Sequence, residues 1–482
     1  MHRGSAFCWA LFAASAITGY AEAAEQLSKV KKLYVGSLGS DRGAAEMREQ
    51  MVRRLRKSQE VQVVSDAKNA DATIQGTGRR WVTGHVSLNP RSHTSSQATF
   101  GGFLSVEVVG KNGDTLWSYL VSPSSFAWNG IADDLARQVV SKMLAALKGG
   151  NQPEAAVAGP PLEIHEPIKG TLRGAGATFP APLYQRWFEL FQEHYPDVRI
   201  SYDAVGSAEG IQRLEQGKVD FGASEMPLSD EAMAAAQQRF IHLPAVPGAV
   251  VVIYNIKGLR RTLNFTLETL SGIYLGNIKK WNDPQLKKSN PGAALPAADI
   301  VVVHRSEGSG TTYVWTDYLS RINPLWKARV GADTTVRWPV GVGAEGNEGV
   351  AAAVQETPNS MGYVEFIYAI QHELSFGAVR NAEGEFVKAS ISSVTAAAAA
   401  TADTLGADFR VSITNPPGKD SYPIATYTWL VLPESIEDKN KKDLRMELLR
   451  WVLTSGQKKC SALGYAPLPA DVVKRALDSL GP

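Results

Sequence analysis

The spacing of apolar positions changes period several times along the chain, and each change marks an element. Val30, Leu33 and Val35 fit a short strand, whereas Met47, Met51 and Leu55 recur every four residues and predict a helix. Val61–Val64 and Ala72–Gln75 read as further strands. Phe103–Val109 and Thr115–Val121 flank Asn112-Gly113, a hairpin signal because both turn positions tolerate positive φ. Ile131, Leu135, Val139 and Met143 stripe a last helix that stops at Gly149-Gly150. Residues 25–150 are therefore expected to form a small α/β domain.

Residues 151–168 interrupt the pattern with Pro153, Gly159, Pro160, Pro161 and Pro167, a composition that continues neither helix nor strand and predicts a linker. A second unit begins near Lys169 and runs to residue 482. The alanine run Ala396–Ala400 within it predicts a surface helix. Ahead of both units, a short positive start (His2, Arg3), the apolar stretch Ala6–Ile17 and Ala21-Glu22-Ala23 predict a cleaved signal peptide over residues 1–23, hence export to the periplasm.

With 482 residues the chain is too long for one ordinary core. The net charge of +2 selects no partner class and gives no support to nucleic acid. Its distribution is uneven, about +6 before residue 150. The basic cluster Arg53, Arg54, Arg56 and Lys57 is expected to be the solvated face of a helix. Cys8 leaves with the signal and Cys460 stands alone, so no internal disulfide is expected. The eight histidines are scattered without H-E-x-x-H or a close pair, and neither metal nor cofactor is expected.

Three stretches share one design. Gly174-Ala175-Gly176-Ala177-Thr178-Phe179-Pro180 precedes a helix with Tyr184, Trp187, Phe188, Phe191 and Tyr195 on one face. Gly206-Ser207-Ala208-Glu209-Gly210 precedes Ile211–Leu214, and Arg305–Thr312 precedes a helix carrying Val314, Trp315, Tyr318, Leu319 and Ile322. Small residues admit a ligand to the backbone, and helix-start N–H groups favour an anion. One such loop is an ordinary helix cap; three, one beside an arginine, point to a tetrahedral oxyanion. Two other matches are set aside. Gly341, Gly343 and Gly346 imitate a dinucleotide fingerprint with Glu365 downstream, but the preceding strand near Val336–Val340 would contain Trp338-Pro339. Asp220-Phe221-Gly222 lacks the accompanying H-R-D of kinases.

From about Lys169 onward the chain resembles the periplasmic phosphate-binding proteins of bacterial phosphate ABC importers. The likeness is carried by Gly174–Pro182, Val219–Ser229, Ile273–Trp281, Gly308–Thr311 and Gly362–Phe366, in order over some 310 residues. It implies a type II-like periplasmic binding protein of two hinge-linked α/β lobes, preceded by the small α/β domain. Lobe one would comprise about 169–249 and 424–482, and lobe two about 250–423. It further implies a phosphate held by Thr178, Phe179 and Ser207 from one lobe and by Arg305, Ser309, Gly310 and Thr311 from the other. The family usually has aspartates where this chain has Glu225, which would accept the phosphate proton, and Glu307, which would pair with Arg305.

The resemblance implies a receptor, not an enzyme, whose partners are inorganic phosphate and a membrane permease; the partner of the N-terminal domain stays unassigned. Three rivals remain. A sulfate receptor would place Glu225 against a ligand with no proton. A phosphatase would need a metal cluster or an activated nucleophile, and Ser207 and Ser309 have no neighbouring base in the sequence. An envelope phosphate-sensing or structural protein would use the N-terminal domain to dock a partner.

Overall fold

The computed structural model describes residues 26–40, 42–87, 96–113, 115–121, 123, 130–148, 168–259 and 261–481. The predicted signal peptide and nearly all of the predicted linker lie outside the described residues.

The N-terminal domain contains β1 (Lys32–Val35), α1 (Arg42–Ser58), β2 (Gln62–Val64), β3 (Ala72–Ser87), β4 (Ser96–Gly110), β5 (Thr115–Val121) and α2 (Ile131–Leu147). The sheet order is β2-β1-β3-β4-β5. Met47, Met51 and Leu55 of α1 and Leu135, Val139 and Met143 of α2 are buried in one core with Leu33, Val35, Ile74, Leu104, Val106 and Val108. In the basic cluster, Arg54 pairs with Asp133 at 2.6 Å while Arg53, Arg56 and Lys57 face solvent.

The C-terminal unit is organised by one long strand. After β6 (Gly170–Gly176), β7 (Val198–Ala204) and β8 (Phe221–Ser224), β9 runs from Phe240 to Asn255. Its run Ala245–Tyr254 is buried on both faces, as a continuous apolar strand requires. The remaining strands are β10 (Asn264–Phe265), β11 (Val301–Arg305), β12 (Val342–Ala344), β13 (Ser360–Glu365), β14 (Ser375–Phe376), β15 (Ala378–Arg380), β16 (Phe386–Lys388) and β17 (Ala425–Pro433). Phe240–Ala249 of β9 pair with β17, whereas Val250–Asn255 pair with β13. The sheet order β12-β11-β13-β9-β17-β8-β6-β7 therefore holds two halves with β9 common to both. Lobe one carries β6, β7, β8 and β17; lobe two carries β11, β12 and β13. Beside the shared strand, Val250 N donates to Ile424 O at 2.9 Å and Tyr422 Oη to Val250 O at 3.0 Å.

Five helices border the junction of the lobes: α3 (Ala181–His194), α4 (Ser207–Glu215), α5 (Gly310–Ile322), α6 (Gly346–Glu356) and α7 (Phe366–Gln371), with α8 (Ile391–Ala399) behind them. Two sequence expectations need correction. The alanine run is only partly at the surface: Ala399 and Ala400 are exposed, but Ala397 and Ala398 of α8 are fully buried, because methyl side chains let that helix pack closely under the sheet. No strand forms over 336–340; β12 starts at Val342, inside the glycine run, as an edge strand parallel to β11. Among the described residues no helix is long and apolar enough to cross a membrane.

Helix α4 lies directly on β6. A Cβ at Gly210 would stand 2.2 Å from Gly176 Cα and 2.7 Å from Ala175 O. Helix propensity favours Gly210→Ala by up to about 1 kcal/mol, but backbone cannot yield cheaply to such overlap. We expect this substitution to destabilise the protein by about 1–3 kcal/mol. A melting temperature above that of the parent would mean that α4 can lift off β6.

Candidate functional site

Where the lobes meet, the three small-residue loops converge. In lobe one Thr178 and Phe179 lie ahead of α3, whose first turn is closed by Pro180 and Pro182. Ser207 opens α4, and Glu225 follows β8. In lobe two Arg305 ends β11, and Ser309 caps α5 by accepting from Thr312 N at 3.2 Å.

The lobes touch through side chains and backbone. Gly310 N donates to Ser207 Oγ at 3.1 Å, and Ser207 Oγ in turn donates to Glu225 Oε2 at 3.2 Å. Ala208 N donates to Gly308 O at 3.3 Å. Only glycine permits this approach: a Cβ at Gly310 would sit 2.2 Å from Glu225 Oε2 and 2.4 Å from Ser207 Oγ. On the other flank Asn347 Nδ2 donates to Thr178 Oγ1 at 2.9 Å and to Thr311 Oγ1 at 3.2 Å, bridging the lobes. Arg305 Nη1 donates to Thr311 Oγ1 at 3.2 Å.

The charges here are dry. Arg305 is 3% exposed and Glu225 1%. Arg305 is held by Glu307 Oε1, to which Nε donates at 2.8 Å and Nη2 also donates; Gly346 N reaches the same oxygen at 3.1 Å. Glu307 Oε2 has no hydrogen-bond partner among the described residues. The guanidinium is thus gripped by one carboxylate oxygen, which leaves Nη1 to donate to Thr311 Oγ1. Glu225 Oε1 accepts from Thr428 Oγ1 at 2.9 Å. Burial pushes the Glu225 carboxyl up to about 7, against the hydrogen bonds from Thr428 and Ser207 and the charge of Arg305. Glu365, equally buried, lies well above the usual range through burial, although Ile367 N donates to it at 2.7 Å.

Every residue singled out from the sequence lies at this junction, with differing duties. Thr178, Ser207, Glu225, Arg305, Gly310 and Thr311 form the interlobe network. Ser309 Oγ is engaged as a helix cap, and the Phe179 ring packs against Gly248 while its carbonyl accepts from Tyr465 Oη at 2.9 Å. Three other residues were not foreseen. Asn347 lies just past the glycine run that imitates a dinucleotide motif, so rejecting that motif also removed it from view. Thr428 lies within the buried run Ala425–Leu432 of β17, which gives a single hydroxyl no distinguishing signal. Tyr368 Oη donates to Thr178 O at 2.7 Å from α7. Ser207, with no base nearby in sequence, has Glu225 within hydrogen-bond reach in space at 3.2 Å. Among the described residues no group of three His, Cys, Asp or Glu could hold a metal ion.

The family described as the PBP superfamily domain matches residues 162–455. Phosphate-binding protein PstS of Pasteurella multocida is 38% identical over 306 residues, 63% of this chain and 88% of that protein. Its namesake from Methanocaldococcus jannaschii is 36% identical over 350 residues, 66% of this chain and 88% of that protein. Among solved structures, the phosphate-binding protein from Stenotrophomonas maltophilia aligns with a TM-score of 0.50 at 20% identity, covering 64% of this chain and 94% of that one, a likeness of fold.

The raised Glu225 carboxyl fixes the sign of a pH effect. Its folded-state value exceeds the ordinary 4.5, so the folded state holds the proton more tightly. The associated stability is fully present below pH 4.5 and is lost as pH rises to about 7. In phosphate-free buffer the stability of the parent relative to Glu225→Gln should fall by about 3 kcal/mol across that window. A flat difference between the two proteins, followed by denaturant unfolding, would place the carboxyl in water.

Proposed function

The chain belongs to the PBP superfamily, among the relatives of phosphate-binding protein PstS, and we propose that it closes its two lobes on inorganic phosphate. The observation that carries this reading is the meeting at Ser207 of a backbone N–H from the opposite lobe with a buried carboxyl from its own. A phosphate seated there would exchange the mutual bonds of Thr178, Ser207, Gly310 and Thr311 for bonds to its own oxygens. Arg305 supplies the formal positive charge and Glu307 steadies it, while hydroxyls and helix-start amides supply the other donors. Glu225 then meets an anion that still carries a proton. Above pH 7, where Glu225 is ionised, sulfate would set two negative groups together with no hydrogen between them.

In this reading the protein works in the periplasm and delivers phosphate to the permease of an ABC importer. It binds without turnover.

Calorimetry with phosphate, arsenate and sulfate on the parent, Arg305→Ala and Glu225→Gln tests the assignment. At about pH 8, where Glu225 is ionised while phosphate and arsenate keep a proton, both should bind the parent, with sulfate weaker by roughly 10⁴-fold. Arg305→Ala should cost about 2–5 kcal/mol in phosphate affinity. Glu225→Gln should weaken phosphate and strengthen sulfate. Equal binding of sulfate and phosphate by the parent would end the proton-reading argument.

A further inference from the structure

The N-terminal sheet carries α1 and α2 on one face. Its other face, at β4 and β5, rests on both lobes. Toward lobe one, Ser105 Oγ donates to Ala462 O and Ser118 Oγ to Lys458 O at 3.0 Å. Lys459 Nζ donates to Thr115 Oγ1 at 2.6 Å and pairs with Glu107 at 3.4 Å. Toward lobe two, Lys388 Nζ donates to Pro123 O at 3.3 Å and Arg79 of β3 pairs with Glu373 at 3.4 Å.

Leu120 joins these two sets. It is buried in the core of the C-terminal unit and takes no part in that of its own domain. It lies where Gly464 of lobe one meets Ile367 of lobe two: a Cβ on Gly464 would stand 2.4 Å from Ile367 Cδ1 and 3.7 Å from Leu120 Cδ1. The next residue on each side reaches the first anion loop, Tyr465 bonding Phe179 O and Tyr368 bonding Thr178 O.

We propose that the N-terminal domain is a clasp across the hinge, docked on both lobes in their closed arrangement, which slows opening and so tightens phosphate binding. The inference rests on the reading of the junction as a phosphate site. Opening must move 458–464 relative to 367–392, and a domain bonded to both segments has to release one of them. Whatever stabilises only the closed arrangement raises the closed fraction before ligand arrives and lowers the apparent dissociation constant accordingly. The largely exposed Arg79–Glu373 pair contributes little to this and the part-buried Lys459–Glu107 pair somewhat more, so Leu120 should dominate.

The test measures phosphate release by stopped-flow chase in the full mature chain. Leu120→Ser, which leaves the N-terminal core intact, should speed release by roughly fivefold or more. Glu107→Lys and Lys459→Glu should each speed it to a smaller extent, and the double charge swap should return toward the parent rate. That rescue excludes simple misfolding as the cause. Release unchanged in Leu120→Ser and in both single reversals overturns the clasp alone. A parent that takes up no phosphate overturns the reading on which it rests.

Discussion

Charge taken out of water has to be compensated at short range, and the lobe junction is arranged around that constraint. Arg305 and Glu225 are almost wholly buried, so each needs partners within hydrogen-bond distance. Glu307 supplies the counter-charge for Arg305 through a single oxygen. Thr428 and Ser207 supply donors for Glu225 without bringing a second cation. The rest of the C-terminal unit sets these groups in place. Three helix starts aim backbone donors at one point, glycines at 206, 308 and 310 let the loops approach, and β9 ties the two half-sheets into one frame.

This economy of charge suits the proposed selectivity better than a positive pocket would. A cluster of lysines would attract any anion. Here one guanidinium is already paired, and the nearby carboxyls of Glu225 and Glu365 both lie above their ordinary range. The junction tolerates added negative charge only if a proton comes with it or is already there. In the proposed complex the proton between Glu225 and phosphate near neutrality would belong to the pair, so binding of the ion and titration of the carboxyl would be one coupled event.

Legibility from sequence tracked the physics of each feature. The three anion loops could be read because small residues, hydroxyls and helix starts are adjacent in the chain, and the likeness to the phosphate-binding proteins assembled them into one site. The apolar period likewise located α1, α2 and their strands. Contacts made only in space were invisible. Asn347 gains its role by standing between Thr178 and Thr311, 169 and 36 residues away in sequence. The alanine run was legible as a helix but not as one with a covered face, because composition indicates helix and not which side of it is buried. The departure at Glu307 was legible as a lengthened acid, yet its single-oxygen grip on Arg305 required coordinates.

The docking of the N-terminal domain lay beyond sequence for a further reason. A proline-rich linker reports that two units are separate in the chain, not that they are separate in space. What joins them is a face of the sheet whose polar residues, Ser105, Ser118 and Glu107, look like ordinary solvent-facing positions in a strand pattern. They bond instead to 458–462, the segment that follows the π-helical turn Val452–Gly456. That turn is itself tied to the site frame, since Trp187 Nε1 of α3 donates to Gly456 O at 2.8 Å and Gln457 Nε2 to Ala245 O of β9 at 2.8 Å. A push on the 458–464 segment therefore meets both the helix that heads the first anion loop and the strand shared by the lobes. Position alone makes the accessory domain sensitive to closure, because the surface it covers contains residues whose separation changes when the cleft opens.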